Sequence, residues 1–278
     1  MVQLLDTEDS AMANKGLQFE WCIYHMVSMV NPKKFANDTN SKTAKINYGS
    51  SDKSVQKDAQ NAVQMIENKY GKIKDIEKTS GGGVEPKTDL YISCVNKNIK
   101  CSLKHGGSIQ LSSGGIKNTV NFLTGVLLNL AKTKGYNSAQ IKSILSVLSE
   151  LDNKYGDLGK MQRTKADVVI GKSEKYNELL QNILGSSKNP VVSEQYENIK
   201  LAIIEEAITG KFTFGPTSKL SADHILSEKK LELVTKDLIK RVSDKTSVRI
   251  ALKGRGKEMI AGKEVRLNEV VVRFDTKA

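Results

Sequence analysis

The first apolar pattern along the chain is helical. In EDSAMANKGLQFEWCIYHMVSMV, Leu17, Ile23, Tyr24, Val27 and Val30 recur at helical spacings behind an acidic, serine-containing start, and Pro32 closes the run. DKSVQKDAQNAVQMIENKYG repeats the period, with Val55, Ala59, Ala62, Val63 and Ile66 on one side and Gly71 just past the end, and predicts a second helix. The segment between them, NDTNSKTAKINYGSS, carries no apolar stripe and reads as a polar connection. The period then changes to two. KIKDIEKT alternates as a short strand broken by SGGG, and KTDLYISCVNKNIKCSLKHGG holds two alternations joined by a polar turn, the pattern of a hairpin. Successive strand side chains face opposite ways, so Leu90, Ile92 and Cys94 share a face with Ile99, Cys101 and Leu103 of the next strand. Asp89, Tyr91 and Ser93 share the polar face with Lys100, Ser102 and Lys104. A turn centred on Asn96 to Asn98 sets Asp89 opposite Lys104 or its neighbour.

Two further helices, GGIKNTVNFLTGVLLNLAKTKG and NSAQIKSILSVLSELDNKYG, each end at a glycine. Beyond them TKADVVIGKSEKYNELLQNILG reads as a strand and a helix, KNPVVSEQ as a linker, and QYENIKLAIIEEAITG and VTKDLIKRVSD as helices. SVRIALKGRG and KEVRLNEVVVRFD are strands. The expected class is α+β, a mixed sheet flanked by helices, with a core over residues 1–160 and a C-terminal α+β region over 161–278. VRIALKGRG echoes IKCSLKHGG and is also preceded by a helical glutamate, Glu205 or Glu206, and by Asp223. That echo admits a degenerate second copy, an extension packed on the core, or chance.

Charge narrows the class of partner. Lys and Arg number 43 against 31 acids, a formal net charge of +12 with pI near 9.4, and this favours a polyanion. The three cysteines, Cys22, Cys94 and Cys101, form no CxxC pair, which points to a reducing, cytoplasmic setting and no zinc site. No apolar run reaches the roughly 18 residues of a membrane span, and the N-terminus has no leader-like pattern. The glycine-rich stretches lack the form of a nucleotide-binding loop, and aromatics are too sparse for a single-strand stacking platform.

Candidate chemistry gathers on a few residues. Glu20 sits within the apolar stripe of the first helix, where a carboxylate needs a cation or a hydrogen-bonded partner unless it lies at the edge of the core. The Asp89 and Lys104 pair is by itself a cross-strand ion pair worth a fraction of a kcal/mol. With Glu20 in GLQFEW, Asp89 in EPKTD and Lys104 in CSLKHGG, the chain resembles the PD-(D/E)XK nucleases, the restriction-endonuclease-like superfamily. In that family a helix supplies a glutamate, a second strand an aspartate, and a third strand an acid-x-lysine. The resemblance covers roughly residues 10 to 135 and departs from the pattern at Ser102, where the family has an acid. It implies hydrolysis of DNA phosphodiesters, with RNA as the alternative substrate, and Mg²⁺ held by Glu20 and Asp89, Mn²⁺ substituting. Glu20, Asp89, Ser102 and Lys104 then form the catalytic set, and many relatives act as homodimers. Ser102 keeps a second reading open, a catalytically inactive nuclease-fold protein that binds DNA or serves a nucleoprotein or viral assembly. Lys253, Arg255 and Lys257, in a glycine-rich loop, with Lys263 and Arg266, are candidate phosphate contacts, as is Gln110. Glu206 and Asp223 are secondary candidates.

Overall fold

The structure is a computed structural model that describes residues 8–79, 86–105, 109–134, 138–184 and 194–276. The fold is mixed α+β, as the change of period predicts. In chain order, α1 (Glu8–Val30), α2 (Thr39–Ser50) and α3 (Lys53–Tyr70) are followed by β1 (Ile73–Lys78), β2 (Leu90–Cys94) and β3 (Asn98–Lys104). Next come β4 (Ile109–Gly115), α4 (Ile116–Lys134), α5 (Ser138–Tyr155), β5 (Met161–Gln162), α6 (Arg163–Lys172), α7 (Glu174–Leu184) and α8 (Glu194–Thr209). The short α9 (Lys211–Phe214), β6 (His224–Ser227), β7 (Leu231–Leu233), α10 (Lys236–Lys245), β8 (Thr246–Ile260) and β9 (Lys263–Thr276) complete it.

These elements form two compact units, each built from two stretches of chain: 1–108 with 208–238, and 109–207 with 239–278. The boundary expected at 160/161 falls inside the second unit. The reason is β6, which comes late in the chain yet pairs in parallel with β3.

In the first unit the sheet order is β1-β2-β3-β6-β7, antiparallel at every pair except β3 with β6. One face is apolar. Ile73, Ile76, Leu90, Ile92, Cys94, Ile99, Cys101 and Leu226 join Phe19, Cys22, Ile23, Val27, Val55, Ala59, Ala62 and Ile66 of α1 and α3 in one cluster. Each fully buried Val, Ile, Leu or Phe among them contributes about 1.5–3 kcal/mol relative to exposure. Leu17, in the middle of α1, and Val30, its last residue, were expected on the buried stripe but stay exposed.

The hairpin register also differs from expectation. Leu90 pairs with Cys101, which puts Ser102, not Lys104, across from Asp89. The amide of Cys94 donates to Lys97 carbonyl at 3.0 Å, so the turn closes one residue earlier than a turn centred on Asn96 to Asn98. Lys104 lies diagonally beyond.

The polar connection at 37–51 is α2, held by its ends rather than by a stripe. Asp38 caps it, accepting from the amides of Asn40 (3.2 Å) and Ser41 (2.8 Å), and the Tyr24 hydroxyl donates to the same carboxylate at 2.7 Å.

The second sheet runs β4-β9-β5, with β8 paired to β9, and all its pairings are antiparallel. It therefore does not repeat the mixed pattern of the first, and the echo between IKCSLKHGG and VRIALKGRG joins strands in unlike surroundings. TKADVVIG, expected as a strand, is instead part of α6. Ala166 is buried where α6 packs on β9 and β8, and that packing outweighs the strand preference of the β-branched run. Gln110 falls within β4, which pairs antiparallel with β9.

Candidate active site

Glu20 is 8% exposed, so the carboxylate on the apolar stripe is buried. Its partner is Lys78, the last residue of β1, whose ammonium ion-pairs with Glu20 Oε1. Lys78 pairs across the sheet with Leu90, a core residue, so it stands on the helix-facing side and reaches α1. Its ammonium also lies 4.7 Å from the centre of the Trp21 ring. Burial pulls the Lys78 pKa down from the ordinary lysine value, and the negative charge of Asp89 works against that pull. Glu20 and Asp89, remote in sequence, thus act on one cation.

Asp89 immediately precedes β2 and replaces part of the ladder there. Its amide donates to the Cys101 carbonyl (2.8 Å), its carbonyl accepts from Thr79 (3.2 Å), and its Oδ2 accepts from the Leu103 amide at 2.6 Å. A carboxylate fixed by a backbone N–H and the strand itself is preorganised. Ser102 is buried opposite it, and Lys104 ends β3 on the same face, half-buried and without an ion pair among the described residues. The Thr88 hydroxyl, next to Asp89 and fully buried, has no hydrogen-bond partner among the described residues. His105, just past Lys104, turns to α3 and α1: its Nε2 is 3.1 Å from Asp58 Oδ2 and its ring lies 5.0 Å from that of Phe19.

Of the residues singled out in the sequence, Glu20, Asp89, Ser102, Lys104 and Asp223 belong to the first unit. Gln110, Glu206, Lys253, Arg255 and Lys257 belong to the second. Gln110 is on β4 opposite Asp275, and its side chain lies outside the described residues. Glu206 is buried in α8. Arg255 is paired with Glu269, Lys253 stands opposite that same glutamate in the hairpin, and Lys257 is paired with Glu264 at 2.5 Å. Acids thus answer these cations, expected to meet phosphate.

Asp223 has its own setting. Its Oδ1 accepts from the Lys100 amide at 2.8 Å and from Nδ1 of His224, a residue with no exposed surface. The Tyr70 hydroxyl lies 2.7 Å from the other ring nitrogen, Nε2. Tyr70, His224 and Asp223 form one hydrogen-bonded chain through α3 and β6. Burial works to raise the Asp223 pKa, but the bonds from His224 and Lys100 outweigh it, and the carboxyl sits below its ordinary value. Asp223→Ala is expected to cost about 2–3 kcal/mol, because two buried donors lose their acceptor. A depressed carboxylate stabilises fully above its unfolded pKa of about 3.9 and loses that contribution as pH falls through the lower folded value. Urea midpoints of parent and variant should therefore differ at pH 7 and converge in acid; equal midpoints at pH 7 would remove Asp223 from the stabilising network.

Sequence reasoning missed Lys78 and the Tyr70–His224–Asp223 chain. The burial of Glu20 demanded a cation, which was a usable signal for Lys78; nothing local joined Tyr70 to His224. Among the described residues no helix is long and apolar enough to cross a membrane, and no group of three or more His, Cys, Asp or Glu is placed to hold a metal. No family model, curated protein or solved structure matches the chain.

Proposed function

We propose that the first unit is a phosphodiester hydrolase of the restriction-endonuclease-like kind, acting on DNA. One observation carries this reading: Glu20 from a helix and Asp89 from the start of the second strand direct their charge at a single cation, and Lys104 ends the third strand. That is the order of the family's helical glutamate, strand aspartate and strand lysine.

Magnesium is commonly held by one or two carboxylates and several waters, so Glu20 and Asp89, both hard oxygen donors, fit it in kind and number. When bound there, the ion would supply an activated water and a Lewis acid for the phosphoryl oxygens. The chain's own residues have separate tasks. Asp89 is held rigid by the Leu103 amide. Lys104 is placed to orient a water or offset charge on a phosphoryl oxygen, which an ammonium does as a compact point charge. Lys78 offsets the repulsion between the two carboxylates while no other cation is bound. DNA approaching a chain of net charge +12 is attracted at long range.

The same pair supports a second reading. Lys78 already satisfies Glu20, and Ser102 stands where an acid would complete the set, which favours a nuclease-fold protein that binds DNA without cutting it. The separating test incubates supercoiled plasmid and single-stranded DNA with the protein in Mg²⁺, Mn²⁺ or chelator. Metal-dependent nicking is expected; retention of uncut DNA under every metal would establish the second reading.

A further inference from the structure

In the second unit, β5 pairs with the middle of β9 so that Met161 stands opposite Asn268 and Gln162 opposite Leu267. α6 begins at the next residue, so its first turn starts just past Leu267, and its first residue lines one cavity with Asn268. Gln162 makes no side-chain cap bond and the first turn contains no acid, which leaves the amides at this end of the helix and its positive dipole unanswered by side chains. An open cavity of about 270 Å³ lies here, lined by Arg163, Leu252, Gly254, Arg266 and Asn268. At the ~30 Å³ a water takes in the liquid, that is room for roughly nine.

The polar content of this cavity points to a ligand. Asn268 is only 5% exposed, lines the cavity, and its amide makes no hydrogen bond among the described residues. At the wall of an open cavity, such an amide can both donate to and accept from whatever fills the space in front of it. Arg163 gives its Nε to both oxygens of Asp167 at 3.0 Å, and among the described residues its terminal nitrogens make no hydrogen bond. Arg266 brings a second guanidinium to the wall. A Cβ at Gly254 would meet nothing within 4 Å, so the backbone there opens directly on the space.

We propose that this cavity binds a phosphate group, received by the first turn of α6, the fork of Arg163 and the Asn268 amide, with Arg266 adding positive charge to the wall. Helix amides, a planar guanidinium and a neutral donor together match a tetrahedral dianion. The group is supplied either by a free nucleotide or by a nucleic-acid end or backbone. This site stands independently of hydrolysis in the first unit.

The test titrates the full chain calorimetrically, at fixed ionic strength, with inorganic phosphate, a deoxynucleoside 5′-monophosphate, the unphosphorylated deoxynucleoside, and a short 5′-phosphorylated oligonucleotide. The monophosphate is expected to bind and the deoxynucleoside to give no heat. Tighter binding of the oligonucleotide than of the monophosphate would assign the source as nucleic acid, and the reverse order as a free nucleotide. Gly254→Leu, which fills the cavity without a strained φ, Arg163→Gln and Asn268→Asp should each weaken binding at least tenfold. The Arg163 side chain is 67% exposed, so Arg163→Gln should melt like the parent and its result stands even where another variant misfolds. Equal heats from monophosphate and deoxynucleoside, or parent-like binding by Arg163→Gln and Gly254→Leu, would overturn the site.

Discussion

Lys78→Met should lower stability by about 3 kcal/mol, read as a shift in the urea midpoint, because removing one partner strands a buried charge; such losses run to roughly 3–5 kcal/mol. The lower end applies because the Lys78 side chain is 27% exposed and that of Glu20 only 10%. Methionine keeps the contact with Trp21, so the loss reports charge more than packing. The companion variant separates the two contributions. In Glu20→Gln combined with Lys78→Met no charge is stranded, and stability should return to within ~1 kcal/mol of the parent. Millimolar Mg²⁺ should restore part of the stability of Lys78→Met alone, by linkage of the ion to the folded state. Unchanged stability of Lys78→Met would remove the pair as a structural element. Loss without any recovery in Mg²⁺ would leave Glu20 and Asp89 a binding site for lysine only.

Asp89→Asn is the second large effect. Asparagine retains an oxygen for the Leu103 amide, so the strand ending should persist and midpoints should stay close to the parent's. Cleavage of plasmid in Mg²⁺ should fall by on the order of a hundredfold or more, the scale of losing a preorganised electrostatic partner. DNA binding should hold or tighten, since a carboxylate that repels phosphate is gone. Parent-like cleavage by Asp89→Asn would sink the proposed site.

The elements that were legible in the sequence are those whose period is set by one buried face. α3 and the β2–β3 hairpin show it: Val55, Ala59, Ala62 and Ile66 on one side of the helix, and Leu90, Ile92, Ile99 and Cys101 on one side of the sheet. α2 escaped because its only buried residue is Ala44, too little to mark an apolar stripe. α6 escaped because DVVI reads locally as strand. The hairpin was found, but its register depends on which carbonyl the Cys94-to-Lys97 turn closes on, and one residue moved Ser102 into the place expected for Lys104. Glu20 was recognised as needing a partner; the partner came from β1, where a register shift between Ile73 and Asp75 sets which residues face α1. His224 carried no local signal, because Tyr70 meets it only when β6 docks beside β3.

That docking bears on how the chain is made. Until residues 224–227 leave the ribosome, β3 has no neighbour on one side, and its amides and carbonyls present an open edge to other chains. The intervening residues 109–207 belong to the other unit, so at least part of that unit emerges while the first sheet waits. Nascent chains of this protein therefore carry an adhesive strand through much of their synthesis, and crowding on polysomes or the loss of chaperone cover should harm yield more than the stability of the finished fold would suggest.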